Sequence, residues 1–263
     1  MADGSIVSGY REHRAPLDLA AHVACTWVNV SRAGPLVAAQ PIIPDGCADI
    51  IIFGDAAPHV VGPAAETQWV APPAAGALIT AIRFRPGAVR AILRCDVDAL
   101  GAWGAPLEAV CGRQARPLLD ELAGAETADA RRAALMAWTR GRIAEASEAD
   151  RLVMAAGALI TRAPWTTIDE VAATLDVSGR HLRRSFIAGC GYGPKTLQRI
   201  MRLQRALRLV AAPVRLGGLA DLAAAAGYAD QAHMTREFQD LTGFTPARYL
   251  PTHNPELSRW LEA

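Results

Sequence analysis

The chain has 263 residues, of which 51% are hydrophobic and 20% charged, and its formal net charge is +1. This composition excludes a disordered, collagen-like or disulfide-rich chain, and no apolar run approaches the ~18 residues that a membrane-spanning helix needs. The first residues carry no apolar stretch of the kind found in secretory signals. We therefore expect a cytoplasmic protein with no membrane partner.

Residues 1–112 have the pattern of strands and turns with a few short helices. Apolar runs at 25–30, 48–53, 60–61 and 77–84 each end near Gly, Pro or a polar turn. Short strands with such boundaries predict a small antiparallel β-barrel or sandwich. After Pro86 the apolar residues recur at helical spacing, and residues 113–149 are predicted to form a helical linker.

From residue 150 onward nearly the whole chain is predicted to be helical. We expect helices at 150–162, 167–175, 178–188, 194–211, 218–226, 231–242 and 245–250, followed by a tail at 253–263. Thr167 and Glu170 have the spacing of a capping box, which marks the start of the second of these helices.

The helical part repeats itself. At an offset of 51 the matching pairs are Ile168/Leu219, Glu170/Asp221, Ala172/Ala223 and Val177/Tyr228; at 52 they are Leu182/Met234, Phe186/Phe238 and Pro194/Pro246. Each copy reads as a short helix, a tight turn and a second helix that begins at a polar residue. This pattern is typical of a helix-turn-helix unit, and two copies are too few for a solenoid.

Charge is divided unevenly between the two parts. Residues 1–150 hold 13 basic and 17 acidic residues, whereas residues 151–263 hold 14 basic and 9 acidic residues. The segment 178–208 contains eight basic residues and no acidic one. A local basic segment of this kind is the electrostatic mark of a nucleic-acid partner, although a solvated helix face gives a similar pattern.

The segments TTIDEVAATLDVSGRHLRRSF and LADLAAAAGYADQAHMTREFQDLTGFTPARYL resemble the DNA-binding domain of the AraC/XylS family of bacterial transcription regulators. The resemblance covers about residues 150–252 and implies two helix-turn-helix units on double-stranded DNA. In residues 1–112, PDGCADIIIF and ITAIRFRPGAVRAIL resemble the N-terminal domain of one branch of this family. That likeness implies a cupin-like effector domain, and the helices of 113–149 would carry the contacts of a homodimer. RNA polymerase is a further partner that we consider. The fold class expected is thus α+β, and the function expected is a sequence-specific DNA-binding transcription regulator that a small effector controls and that is nucleoid-associated when bound to DNA.

The residues that read bases are predicted to lie at the start of the second helix in each unit. By family position, Arg180, Arg183, Gln231 and Thr235 match residues that read bases, and Ala232 faces the same way. Arg pairs with guanine, Gln with adenine, and Ala or the Thr methyl with thymine. A second group is predicted to contact either base or phosphate: Ser178, Arg184, Arg236, Lys195, Arg199 and Arg202. For Arg184 and Arg236 a salt bridge within the domain is the alternative.

The effector is not identified by the sequence. Cys47, Trp27, Trp69 and Arg83 are candidate effector-binding residues. Core packing is the alternative for the first three, and a structural role before the turn at Pro86 is the alternative for Arg83. The five cysteines form no C-x-x-C pair, and the six histidines form no metal-binding cluster, so we expect neither a metal nor a cofactor. No catalytic motif is present, and we expect no enzyme. The competing interpretation is a DNA-binding alkyl-transfer repair protein or a redox sensor that uses its cysteines.

Overall fold

The computed structural model describes residues 9–31, 39–71, 73–95, 97–100, 104–144, 146–211 and 218–249. Its strands are β1 Tyr10–Arg14, β2 Val23–Val30, β3 Gln40–Ile42, β4 Ala48–Phe53, β5 His59–Val61, β6 Gln68–Val70, β7 Leu78–Phe84 and β8 Ala105–Pro106. Its helices are α1 Val89–Leu93, α2 Leu107–Cys111, α3 Arg116–Leu122, α4 Ala128–Ile143, α5 Glu148–Arg162, α6 Ile168–Thr174, α7 Gly179–Cys190, α8 Pro194–Ala211, α9 Leu219–Ala226, α10 Gln231–Thr242 and α11 Pro246–Tyr249.

The N-terminal domain is an antiparallel sheet with helices on one face. Six strands follow the order β1-β2-β7-β4-β5-β8, and β3 pairs separately with β6. Because side chains alternate along a strand, Ile50, Ile82 and Phe84 point to the helices and are fully buried, whereas Trp27 and Ala81 belong to a smaller cluster on the other face. The sheet thus has one large helix-covered core.

The antiparallel character predicted for residues 1–112 is confirmed, but the predicted closed barrel is wrong. Within the described residues, β1 and β8 lie at opposite ends of the strand order, so the six-stranded sheet is open. The outer strand β1 carries the polar sequence YREHR, which lacks the apolar alternation by which the other long strands are recognised. Helical packing on one face, rather than strand closure, completes this domain.

The C-terminal domain is helical, as predicted, and has its own core around α8. Leu197, Ile200 and Leu203 of that helix are fully buried, together with Phe186 of α7 and Phe238 of α10. The long central helix therefore holds the flanking helices together from both sides. No helix in the described part of the chain is long and apolar enough to cross a membrane.

Candidate nucleic-acid interface

The first helix-turn-helix unit consists of α6, a short turn and α7. Thr167 begins α6 with a capping box: its hydroxyl accepts a hydrogen bond from Glu170 N at 3.2 Å, and the Glu170 carboxylate accepts one from Thr167 N at 2.8 Å. In the turn, Asp176 has a left-handed backbone with φ 54°. Ser178 then caps α7 by accepting a hydrogen bond from His181 N at 3.2 Å. Local sequence thus determines where both helices begin.

The second unit, α9, a turn and α10, has the same construction. Gly227 occupies the turn with φ 90°, a conformation that favours glycine, and a Cβ there would lie 3.6 Å from the Trp165 ring. Asp230 caps α10 by accepting a hydrogen bond from His233 N at 2.6 Å.

The two turns are closed by equivalent hydrogen bonds. Val177 N donates to Ala172 O at 3.0 Å in the first unit, and Tyr228 N donates to Ala223 O at 2.9 Å in the second. Both alanines are almost fully buried, with 3% and 1% exposure. The sequence repeat at an offset of 51 is therefore a repeat of backbone geometry, and a small residue at this position lets the two helices of each unit approach closely.

The outer face of α7 carries three arginines. Leu182 and Phe186 are fully buried, so Arg180, Arg183 and Arg184 lie exposed on the opposite side of the helix. At spacings of three and four residues, Arg180 shares a face with both others. None of the three makes a hydrogen bond or ion pair with any residue that the structure describes. Their N–H donors are therefore available to an external partner.

The outer face of α10 is polar but less basic. Met234 and Phe238 point inward, whereas Gln231, Ala232 and Arg236 are exposed. Thr235 is half-buried, and its hydroxyl donates to Gln231 O at 2.9 Å, so the hydroxyl proton is already used within the helix. This face therefore presents the amide of Gln231, the methyl groups of Ala232 and Thr235, and the guanidinium of Arg236.

The structure corrects the prediction for the arginines of α8. Lys195, at its start, is exposed, but Arg202 is only 9% exposed and its Nη2 lies 2.8 Å from Glu237 Oε1. Arg199 pairs with Asp240 at 2.7 Å and with Glu237 at 3.3 Å. Arg202 therefore cannot reach DNA without leaving a buried carboxylate, and the charge of Arg199 is balanced within the domain.

Glu237 is the functional-region residue that the sequence analysis missed. It is 8% exposed, and besides Arg199 and Arg202 its carboxylate lies 3.2 Å from His233 Nε2. In the sequence, Glu237 lies between Met234 and Leu241 on the apolar face of α10. A buried acid at such a position requires a basic partner, and this feature could have identified it. The ion pairs of this carboxylate therefore join α10 to α8.

Three of the four effector candidates meet on the sheet face that the large core leaves uncovered. Asp49 accepts hydrogen bonds from Arg83 Nε and Nη2, both at 3.0 Å, and from Trp27 Nε1 at 3.5 Å. Arg83 also pairs with Asp45 at 3.2 Å, and Cys47 N donates to the same Asp45 carboxylate at 2.9 Å. Burial raises the pKa of the Asp49 carboxyl. The Arg83 guanidinium is thus already paired with two acids.

Trp69 lies apart from that cluster. It is on β6, half exposed, and its ring stands edge-on to Phe244 with 6.0 Å between ring centroids. This places it against the end of the second helix-turn-helix unit rather than in the sheet cluster.

Four of the five cysteine thiols have pKa values that burial raises. Burial raises the pKa of Cys25 and Cys190 to about 12 and that of Cys111 to about 11, and it raises the pKa of Cys47 well above its ordinary value. Thiols that stay protonated at neutral pH are weak nucleophiles. Among the described residues no group of three or more His, Cys, Asp or Glu side chains could hold a metal ion.

Comparison with solved structures finds chains of similar arrangement at low identity. A probable AraC family transcriptional regulator from Rhodopseudomonas palustris CGA009 is 23% identical over 40% of this chain and 99% of its own, with a TM-score of 0.36. ToxT from Vibrio cholerae O395 is 10% identical over 87% of this chain and 98% of its own, with a TM-score of 0.42. No curated protein matches the chain.

Two protein-family models match. A domain described as of unknown function matches residues 11–102, which contain most of the sheet. A helix-turn-helix domain matches residues 171–251, which contain α7 to α10 with their caps and turns. The two capped units of that region have turns closed by equivalent hydrogen bonds, and the chain therefore contains a helix-turn-helix domain.

Proposed function

We propose that the chain regulates transcription by reading two successive major-groove segments of an operator, one with α7 and one with α10. The observation that carries this proposal is a pair of capped helices with buried inner faces. Their outer faces hold exposed side chains, among them Arg180, Arg183 and Gln231, that have no side-chain partner among the described residues. A helix with a free N-terminal outer face is the element that helix-turn-helix proteins insert into the major groove.

The two helices favour different bases. Arg180 and Arg183 on α7 suit the O6 and N7 acceptors of guanine, to which arginine donates two hydrogen bonds. On α10, Gln231 suits adenine, and Ala232 with the Thr235 methyl suits the thymine methyl group. We therefore propose an asymmetric operator, with guanine in the segment read by α7 and A·T pairs in the segment read by α10.

The spacing of the units agrees with this reading of DNA. The central helix α8 has 18 residues and a length of roughly 27 Å at 1.5 Å per residue. Successive major-groove segments on one face of B-DNA are about 34 Å apart. We propose that four further residues contact base or phosphate: Lys195 at the start of α8, Arg184, Arg236 and Ser178. Arg199 and Arg202 are omitted from this proposal because acids of α10 pair with them.

We further propose that a small effector acts through the N-terminal domain. That domain contacts the central helix and the second unit: Pro44 O accepts a hydrogen bond from Gln204 Nε2 on α8 at 2.7 Å, and Thr67 N and Oγ1 donate to Leu241 O on α10, each at 3.0 Å. An ion pair of 3.1 Å joins Arg90 to Asp150 at the start of α5. A ligand with unequal affinity for two arrangements of these contacts would change the affinity for DNA.

In this proposal residues 1–112 sense the signal, 113–149 link and dimerise, and 150–252 bind DNA. A homodimer and a contact with RNA polymerase remain predictions, as does a non-enzymatic role at the nucleoid. None of them is needed for the two-segment reading of DNA.

Operator selection from random DNA with the full-length chain tests the proposal. We expect one enriched sequence with two conserved blocks about one helical turn apart. Arg183→Ala should weaken binding to that sequence by about 1–3 kcal/mol and relax one guanine preference. Arg116→Ala removes an exposed arginine of α3 and is the charge-matched control. Equal affinities of the Arg183 variant and the wild type would contradict the assignment of α7.

A further inference from the structure

A second cavity, far in sequence from the DNA-facing helices, lies at one end of the N-terminal domain. It has a volume of about 340 Å³ and is bounded by the turn between β4 and β5 and by the connection from α3 to α4. Its walls combine apolar and polar surface, and Ile52, Pro58, Leu119 and Leu122 supply apolar side chains. Cavities that bind small molecules are of this size and have mostly apolar walls with a few polar groups.

The polar group at this cavity is the guanidinium of Arg131. This side chain is 8% exposed overall, and its Nη2 lies 2.7 Å from the Asp55 carboxylate. Its Nε donates to Ala125 O at 3.0 Å, and its Nη1 donates to Gly54 O. These contacts account for three of the five N–H donors of an arginine, which leaves two without an acceptor among the described residues.

The carboxylate that pairs with Arg131 is exposed to solvent, although Arg131 itself is buried. The Asp55 side chain is 98% exposed, so water screens its charge and competes for its oxygens. A buried cation is better compensated by an anion that is itself removed from water and accepts two parallel hydrogen bonds. The turn carbonyls hold the guanidinium in place, but they supply no negative charge.

We propose that this cavity binds a small organic acid whose carboxylate pairs with Arg131 in place of Asp55 and whose apolar body lies against Ile52, Leu119 and Leu122. Glu126 and Asp55 are the acidic residues of the wall, and both are exposed at its edge. A ligand cation in the position proposed for the carboxylate would lie beside the Arg131 guanidinium, which like-charge repulsion opposes. The site therefore selects anionic over neutral or cationic molecules of the same shape.

The position of Arg131 connects the cavity to the rest of the chain. It lies near the start of α4, a rod of 16 residues whose far end carries Arg142. Arg142 Nε donates to Ile92 O at 2.7 Å at the end of α1, and α1 packs against α5 and α7 of the DNA-binding domain. Occupancy of the cavity thus acts on a helix that ends at the domain junction. This consequence rests on the proposed function, whereas ligand binding itself does not.

Calorimetric titration of the full-length chain tests the site. The probes are cyclohexanecarboxylate, hexanoate and phenylacetate, with their primary amides as neutral counterparts and cyclohexylamine as the cationic one. We expect saturable binding of at least one acid and at least tenfold weaker binding of its amide. Asp55→Asn removes the competing carboxylate and should strengthen binding of the acid about three- to tenfold. Asp120→Asn, which removes an exposed carboxylate outside the cavity, should leave it unchanged.

Ala123→Phe fills the cavity from an exposed wall position and should abolish binding of the acid without loss of the folded state, as judged by the thermal unfolding midpoint. Absence of saturable binding by all three acids, binding by amide or amine at the same affinity, or unchanged binding in Ala123→Phe would each overturn the proposal. Acid binding that leaves operator affinity unchanged would instead uphold the site and contradict effector control through it. If operator selection enriched no sequence, the result would contradict sequence-specific DNA binding but not the acid-binding site.

Discussion

Replacing Glu237 should lower the free energy of unfolding more than any substitution on the exposed face of α10 does. Glu237→Ala leaves the Arg202 guanidinium, 9% exposed, without the carboxylate that accepts hydrogen bonds from its Nε at 3.2 Å and its Nη2 at 2.8 Å. Breaking a buried pair by removing one partner costs about 3–5 kcal/mol. We expect about 3 kcal/mol here, because Arg202 keeps Pro164 O at 3.3 Å and the face of the Tyr228 ring, 5.5 Å from its centroid.

Urea unfolding followed by far-ultraviolet circular dichroism measures this loss. Asp240→Asn is the matched control: it removes the other acid beside Arg199, but that carboxylate is 65% exposed, and we expect a loss of at most about 0.5 kcal/mol. The double variant Arg202→Met with Glu237→Leu should recover most of the stability, because a well-packed apolar pair replaces a buried ion pair without loss. A loss below about 1 kcal/mol in Glu237→Ala, or no recovery in the double variant, would refute the reasoning.

Three further predictions concern phosphate contact, the turn and pH. Lys195→Ala should weaken binding to every DNA sequence and reduce the slope of log affinity against log salt by about 0.9, as measured by titration at several salt concentrations. Gly227→Val should cost about 1–3 kcal/mol of unfolding free energy, because a branched side chain is strained at φ 90°, whereas Gly141→Ala in the last turn of α4 should stabilise by at most about 0.5 kcal/mol. Burial lowers the pKa of His22, whose Nδ1 has no hydrogen-bond partner among the described residues, so the unfolded chain binds more protons and stability should rise as the pH rises towards the ordinary histidine pKa of about 6.5. His22→Gln should flatten that rise in urea titrations; an unchanged pH dependence would show that His22 is not its cause.

The helical domain follows closely from the sequence because its signals are local. The capping box at Thr167 and Glu170, the N-caps Ser178 and Asp230, and the small residues of the turns are each decided within four residues of chain. The alternation of buried and exposed positions along α7 and α10 likewise follows from helical periodicity. These features were enough to predict the second helix of each unit and its exposed face.

The N-terminal sheet follows less completely. Apolar strands such as β4 and β7 are recognisable, but the polar edge strand β1 and the short pair β3 and β6 are defined only by the neighbours with which they pair. Whether a sheet closes depends on contacts between strands distant in sequence, and here helices cover the face instead. The predicted barrel was wrong for this reason.

The sequence by itself determined that the chain carries two helix-turn-helix units, where each begins, and which of their residues face outward. Only the tertiary structure decided which basic residues remain available to a partner. Lys195, Arg199 and Arg202 follow one helical spacing in the sequence, yet Lys195 is exposed while the other two are held by Asp240 and Glu237 of a helix some 40 residues away. The availability of a charge depends on which acid packs against it, and periodicity along one helix carries no information about that neighbour.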